Sequence, residues 1–264
     1  MVKKLVLFDK IYSITEKEME KKKKVVFAAY LNYLKEKIKG FSNTVIDIKK
    51  LRTFDKRFEI SIEGPEEHFV FNLLRKEIGA IKEFKDVEQG QIFKGTMVDI
   101  GKFGFGIFVD CAILNPKTDV LINLHSLREQ LCQGKKLSIK EIIKSYDFID
   151  NFPVSVKITK VDKEKNKLKG EFANDFLNLY KKILSENLEA VFVSGATNSQ
   201  FKKALNKSDH LRDVNSIKRY GYLEHLAILK ESSDAPGIIA NIGKYLKHCK
   251  LSAIRPARII KLYG

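Results

Sequence analysis

The sequence predicts an α+β chain in which a closed five-stranded β-barrel stands between two smaller α/β sandwich units. Three observations carry that expectation. Residues 90–172 are short apolar runs broken by glycine, the grammar of a small all-β unit. The segments on either side alternate strand and helix periods in the order β-α-β-β-α. The charge is also uneven: within a formal net charge of +16, residues 1–85 hold 20 basic and 13 acidic side chains, 86–172 hold 14 and 12, and 173–264 hold 15 and 8. The expected divisions are therefore 1–85, 86–172 and 173–264.

In the first division, residues 4–12 suit a strand. A helix follows over 16–39, with Val25, Val26, Ala29, Tyr33 and Leu34 at helical spacing before Gly40. Val45–Ile48 and Arg57–Ile62 read as two more strands, and Gly64-Pro65 opens a second helix to about Ile78, with Pro65 suited to its first turn. With a last short strand, this order is that of a ferredoxin-like split βαβ unit. Lys21 to Lys24 lie inside the first helix and spread around it, as a solvated face does more naturally than a phosphate clamp.

The central strands are expected at Gln91–Val98, Gly104–Val109, Val120–Leu124, Phe152–Ile158 and, after a turn from Asp162 to Asn166, Lys167–Phe172. A polar, helical insertion at about 126–150 separates the third from the fourth. Five such strands suffice for a small closed barrel. The last division opens with an amphipathic helix over 174–184. It then runs strand (188–193), helix (197–206, capped by Thr197), strand (214–218), strand (222–229), helix (236–246) and strand (250–254). This is a second ferredoxin-like order, without sequence repetition of the first.

Three central elements, Gly95-Thr96-Met97-Val98, Gly104-Phe105-Gly106-Ile107-Phe108-Val109 and the run from Phe152 to Asp162, together resemble an S1-like RNA-binding domain, an OB-type barrel. The resemblance covers about a third of the chain. It implies that Phe105 and Phe108 stack on unpaired bases from the barrel's outer face. Strand alternation alone sets these two residues on opposite faces, so both reach solvent only if the backbone near Gly106 resets the register. The competing arrangement has Phe103 or Phe105 filling the barrel, with Phe108 alone outside. Lys94, Lys157 and Lys169 are placed to neutralise phosphates, although strand lysines are often plain solvated residues. The sequence departs from the family where a histidine commonly follows the third strand: Asn123 stands there, with His125 two residues on. The insertion, with Arg128, Lys135, Lys136, Lys140 and Lys144, either widens that face or covers it. The overall layout resembles an archaeal family of uncharacterised proteins with an S1-like middle.

In the last division, Arg212, Lys218 and Arg219 read as a basic group suited to phosphate contact. Ser233–Gly243 resembles the strand-to-helix turn of ACT domains, which sense small molecules. Asp234 as cap and Pro236 in the first turn explain the same motif structurally.

The pI near 9.5 implies attraction to polyanions, or alternatively the Lys- and Glu-rich surface common in hyperthermophile proteins. No apolar run approaches the roughly 20 residues of a membrane span, and the start lacks a signal-peptide pattern, so a cytoplasmic protein is expected. Cys111, Cys132 and Cys249 are too far apart for a disulfide framework or zinc-ligand pairs and read as buried apolar residues. There is no phosphate-binding glycine loop, no His-Glu-x-x-His and no nucleophile elbow, and His210 beside Asp209 and Asp213 reads as incidental, so neither catalysis nor a cofactor is expected. The expected function is non-catalytic binding of single-stranded or structured RNA, ribosomal or transfer RNA or a ribonucleoprotein. A small-molecule-sensing regulator and a protein-interaction scaffold are the alternatives.

Overall fold

The computed structural model describes residues 2–12 and 16–262, and the side chains of all but 16–19 among them. The chain forms two compact units, one of residues 1–81 with 221–223 and one of 82–220 with 224–264.

In the first unit, β1 (Lys3–Lys10), α1 (Glu16–Lys37), β2 (Val45–Leu51), β3 (Arg57–Glu63) and α2 (Glu67–Glu77) follow one another, and the antiparallel sheet runs β1-β3-β2. A single antiparallel bridge from Leu7 to Ala80 stands where the short last strand of a ferredoxin-like order would lie, and the sheet itself has three strands. Pro65 lies just outside α2, whose first residue is Glu67.

The buried face of α1 is the expected one at Tyr33 and Leu34 and differs from it at Val25 and Ala29, which are exposed. Val25 is 71% exposed, and the core is filled by Tyr30, Tyr33, Leu34 and Ile38. The cause is tertiary. The Tyr30 hydroxyl donates to buried Asp9 at 3.1 Å and its ring stacks on Phe58 at 4.1 Å, which fixes the helix's rotation. Tyr222 packs against Tyr30 and Tyr33, and its backbone N–H donates to Asp9. Lys21 to Lys24 are exposed.

The second unit begins with β4 (Lys82–Glu83), β5 (Ile92–Val98), β6 (Gly106–Asp110), β7 (Ile113–Leu114) and β8 (Val120–Asn123), followed by α3 (Leu124–Cys132) and α4 (Ile139–Tyr146), then β9 (Pro153–Asp162) and β10 (Lys167–Phe172). Strands β5, β6, β8, β9 and β10 close into a barrel in the order β10-β8-β6-β5-β9, with β10 and β8 parallel and the other pairs antiparallel. Met97, Ile107, Val109, Val120, Ile122, Val156, Ile158 and Leu168 fill it. Strands β4 and β7 form a separate parallel pair.

After α5 (Asn174–Ser185) come β11 (Ala190–Ser194), α6 (Asn198–Lys207), β12 (Val214–Arg219), β13 (Glu224–Leu229), α7 (Ala235–Ile242), β14 (Lys250–Ile254) and α8 (Pro256–Ile260). The sheet order β12-β13-β11-β14 is again ferredoxin-like. Every residue of β11 and β13 is buried, because the sheet is covered twice. One face, with Val191, Val193, Ala227 and Leu229, packs beneath Phe201, Leu205, Ile238 and Ile242 of α6 and α7. The other, with Phe192, Leu226 and Ile228, joins the barrel's own core, where the Phe152 and Phe192 rings are 4.5 Å apart.

Local signals held where they were strongest. Thr197 caps α6 in a reciprocal capping box with Gln200, and Asp234 caps α7 by accepting the Gly237 N–H at 2.7 Å. Cys111 and Cys132 are buried as expected, whereas Cys249 is only half-buried, at the rim of the α6–α7 core.

Candidate nucleic-acid interface

Phe103, Phe105 and Phe108 form one cluster outside the barrel. Their ring centroids lie 5.5 Å (Phe103–Phe105), 5.2 Å (Phe103–Phe108) and 6.0 Å (Phe105–Phe108) apart, within the range of edge-on and tilted aromatic pairs. Phe105 is 53% exposed and the other two are half-buried. None fills the interior. The register problem is resolved because Phe105 precedes β6, which begins at Gly106, so strand alternation does not bind it to the opposite face.

Gly106 is what permits this. A β-carbon there would lie 2.4 Å from the Ile122 carbonyl oxygen, so only glycine lets β6 start this close to β8. The turn before the rings is held by the Ile100 N–H donating to Asp150 at 2.8 Å, and Gly101 adopts a φ of +82°. The Lys102 ammonium sits 5.4 Å from the Phe103 centroid and 3.5 Å from Asp99, which brings one positive charge to the cluster's edge.

Across the outer face, Phe108 lies in register with Val98 on one side and Leu121 on the other, and Leu121 lies in register with Lys169. Lys169 is thus exposed two strands from Phe108. Lys157 is also exposed and two strands away in the opposite direction, where it pairs with Glu171 at 3.7 Å. Lys94 is exposed on β5, in register with Ser155.

Asn123 has a structural duty: it is the N-cap of α3, its side-chain oxygen accepting the Ser126 N–H at 2.9 Å. His125 is exposed in the first turn of that helix. The insertion folds onto the barrel through Leu127, Leu131, Ile139, Ile142 and Tyr146, and Gln130 bonds the Phe172 backbone in both directions. It leaves Phe105 open to solvent.

The three basic residues of the C-terminal division do not form one group. Arg212, 82% exposed at the side chain, precedes β12, whereas Lys218 and Arg219 close it, and a strand of that length spans roughly 15 to 20 Å. Lys218 and Arg219 stand on an edge strand, where charged side chains also discourage pairing with other chains. Double burial of β11 and β13 removes the centre of the C-terminal sheet as a base-stacking platform. His225 is wholly buried within that sheet. Burial, with Arg219 close by, pushes its imidazole down to about 4, while the Ala196 backbone pulls weakly the other way.

His210 is held at both ends, by Asp213 at 2.7 Å and by the Asn241 amide at 2.9 Å. The Cys132 thiol is pushed up to about 11 by burial and stays protonated at neutral pH. Among the described residues, no group of three or more His, Cys, Asp or Glu side chains is placed to hold a metal ion, and no helix is long and apolar enough to cross a membrane.

Comparisons with known proteins give two family matches. Residues 87–182 match the DUF2110 central domain and 188–254 the DUF2110 C-terminal domain. No curated protein matches the chain. Solved structures similar in part include the uncharacterized protein MJ1198 from Methanocaldococcus jannaschii (19% identity, 34% of this chain and 96% of that one, TM-score 0.23). Another is GSP13 from Bacillus subtilis (20% identity, 33% and 55%, TM-score 0.23). A third is the a/eIF2alpha–aDim2p–rRNA complex from Pyrococcus horikoshii OT3 (14% identity, 48% and 70%, TM-score 0.26).

Proposed function

We propose that this protein binds RNA without catalysis, receiving unpaired bases on the barrel's phenylalanine face and phosphates on basic side chains beside it. The observation that carries this is the cluster of Phe103, Phe105 and Phe108 held outside a closed barrel, with Phe105 more exposed than covered. An apolar ring left in water costs free energy unless something covers it, and nucleobases cover phenyl rings at roughly 1–3 kcal/mol per base with little sequence preference. Lys102 and Lys169 flank the face, and the net charge of +16 draws polyanions toward it.

Stacking requires splayed-out bases, so the fitting target is an unpaired stretch within a folded RNA, of the kind found in ribosomal and transfer RNA and in ribonucleoproteins. A cytoplasmic site of action accords with that target. In this reading Lys94, Lys157, His125 and Asn123 act as secondary contacts rather than as part of the ring cluster.

The test is a filter-binding titration against single-stranded and hairpin RNA at several salt concentrations. Phe105→Ala/Phe108→Ala is expected to weaken binding at every salt concentration. Undiminished affinity in that double variant removes the barrel face from the function.

A further inference from the structure

The +7 excess of residues 173–264 has a specific location. Helix α6 and the stretch from α7 through Tyr245 contain no aspartate or glutamate. They carry Lys202, Lys203, Lys207 and Lys244, with Lys247 just beyond, all exposed. This contrasts with the first unit, where Lys37, Lys49, Lys50 and Arg52 each lie within 4 Å of a carboxylate.

Helix α6 and the turn after α7 present these charges together. Tyr245 joins them, its hydroxyl donating to the Lys207 carbonyl at 3.4 Å, and the Lys207 and Lys244 ammoniums lie 5.8 and 5.1 Å from its ring centroid. Lys203 stands one helical turn before Lys207 on α6, a like-charge spacing that destabilises a helix unless an anion offsets it. Tyr245 is itself 41% exposed. The central strands β11 and β13 of the underlying sheet are buried on both faces, and the helical side over them is solvent-facing at these lysines.

We infer that the α6–α7 face of the C-terminal domain is a second RNA contact, holding the phosphate backbone through Lys203, Lys207 and Lys244 with Tyr245 between them. This rests on the RNA-binding reading above and adds the surface by which the domain takes part. Closely spaced ammoniums without counter-carboxylates suit a chain of phosphates, each contact releasing condensed counterions. The ring between them suits a base at the edge of that backbone.

The experiment compares the wild type, Phe105→Ala/Phe108→Ala, and Lys203→Gln/Lys207→Gln/Lys244→Gln in RNA titrations from low to high salt. Thermal melts check that each variant is folded, and the glutamines keep the helices' propensity while removing charge. At about 0.7 per phosphate contact, the lysine variant should lower the slope of log affinity against log salt by about 2 and weaken binding roughly a hundredfold at 0.1 M salt. A wild-type slope in that variant overturns the inference and leaves the barrel reading standing if the phenylalanine variant is weak. A reduced slope beside an indifferent phenylalanine variant does the reverse. Absence of RNA binding by the wild type removes both. Lysine-dependent binding seen only with phosphatidylglycerol vesicles or polyglutamate also overturns the inference, in favour of a membrane or an acidic protein.

Discussion

On the barrel, three phenyl rings stand within 6.0 Å of one another beside a turn that carries Asp99 as well as Lys102, in a division whose charges nearly cancel. On α6 and in the turn that follows α7, in the same compact unit, lysines stand on segments without a carboxylate and a single exposed tyrosine lies among them. The first region offers area and a fixed ring geometry, the second offers charge. Stacking depends weakly on ionic strength, whereas phosphate neutralisation depends on it steeply. If both proposed surfaces hold one RNA, they do so by two separable contributions that salt tells apart.

The largest effect expected is on the barrel. Replacing Phe105 and Phe108 by alanine should cost roughly 2–6 kcal/mol of binding if two bases stack, with the salt slope unchanged. A changed slope in that variant breaks the comparison, because the rings would then be organising phosphate contacts.

The next effect is on stability and belongs to the C-terminal sheet. His225 is held near 4 in the folded state against about 6.5 when unfolded, so the unfolded chain binds the extra proton between those values. Stability contributed by the neutral imidazole is complete above about 6.5 and is lost as the pH falls toward 4, on the order of 3 kcal/mol in total. Denaturant melts at pH 7 and pH 4.5 should show the loss, and His225→Phe should flatten that part of the profile.

Gly106→Ala should destabilise the barrel by about 1–3 kcal/mol through the clash with the Ile122 carbonyl, read as a lower melting temperature. Because the same residue lets Phe105 join the cluster, RNA affinity should fall as well. The smallest effect is at Asn123. Asn123→Ala should cost about 1 kcal/mol of stability through the lost cap, and Asn123→Ser should restore it. If the serine variant is stable yet binds RNA less well, Asn123 touches the ligand in addition to capping α3.

The barrel was legible because its information is local: period-two alternation, glycines between strands, and a hairpin turn from Asp162 to Asn166 where the Asp162 side chain accepts the Lys165 N–H. Thr197 with Gln200, and Asp234 before Pro236, were legible for the same reason. The rotation of α1 was not, since it depends on a hydrogen bond between Tyr30 and Asp9, 21 residues away. The basic face of α6 and α7 was also missed. Lys207 and Lys244 are 37 positions apart and meet only because the helices pack side by side over one sheet. A signal was nevertheless present, the absence of acidic residues from two whole helices of a chain with 33 of them. Grouping Arg212 with Lys218 and Arg219 followed their nearness in sequence, which an extended strand converts into distance.

The hydrophobic cluster that merges the barrel with the C-terminal sheet, with Phe152 against Phe192 at its centre, leaves no flexible tether between the two proposed contacts. Two sites in one compact unit behave as a caliper: once the first is occupied, the second sees its portion of the same molecule at high effective concentration, but only if that molecule's shape matches the span. Selectivity would then come from the ligand's three-dimensional outline, and a short oligonucleotide unable to bridge the gap would lose the avidity while keeping every single-site interaction.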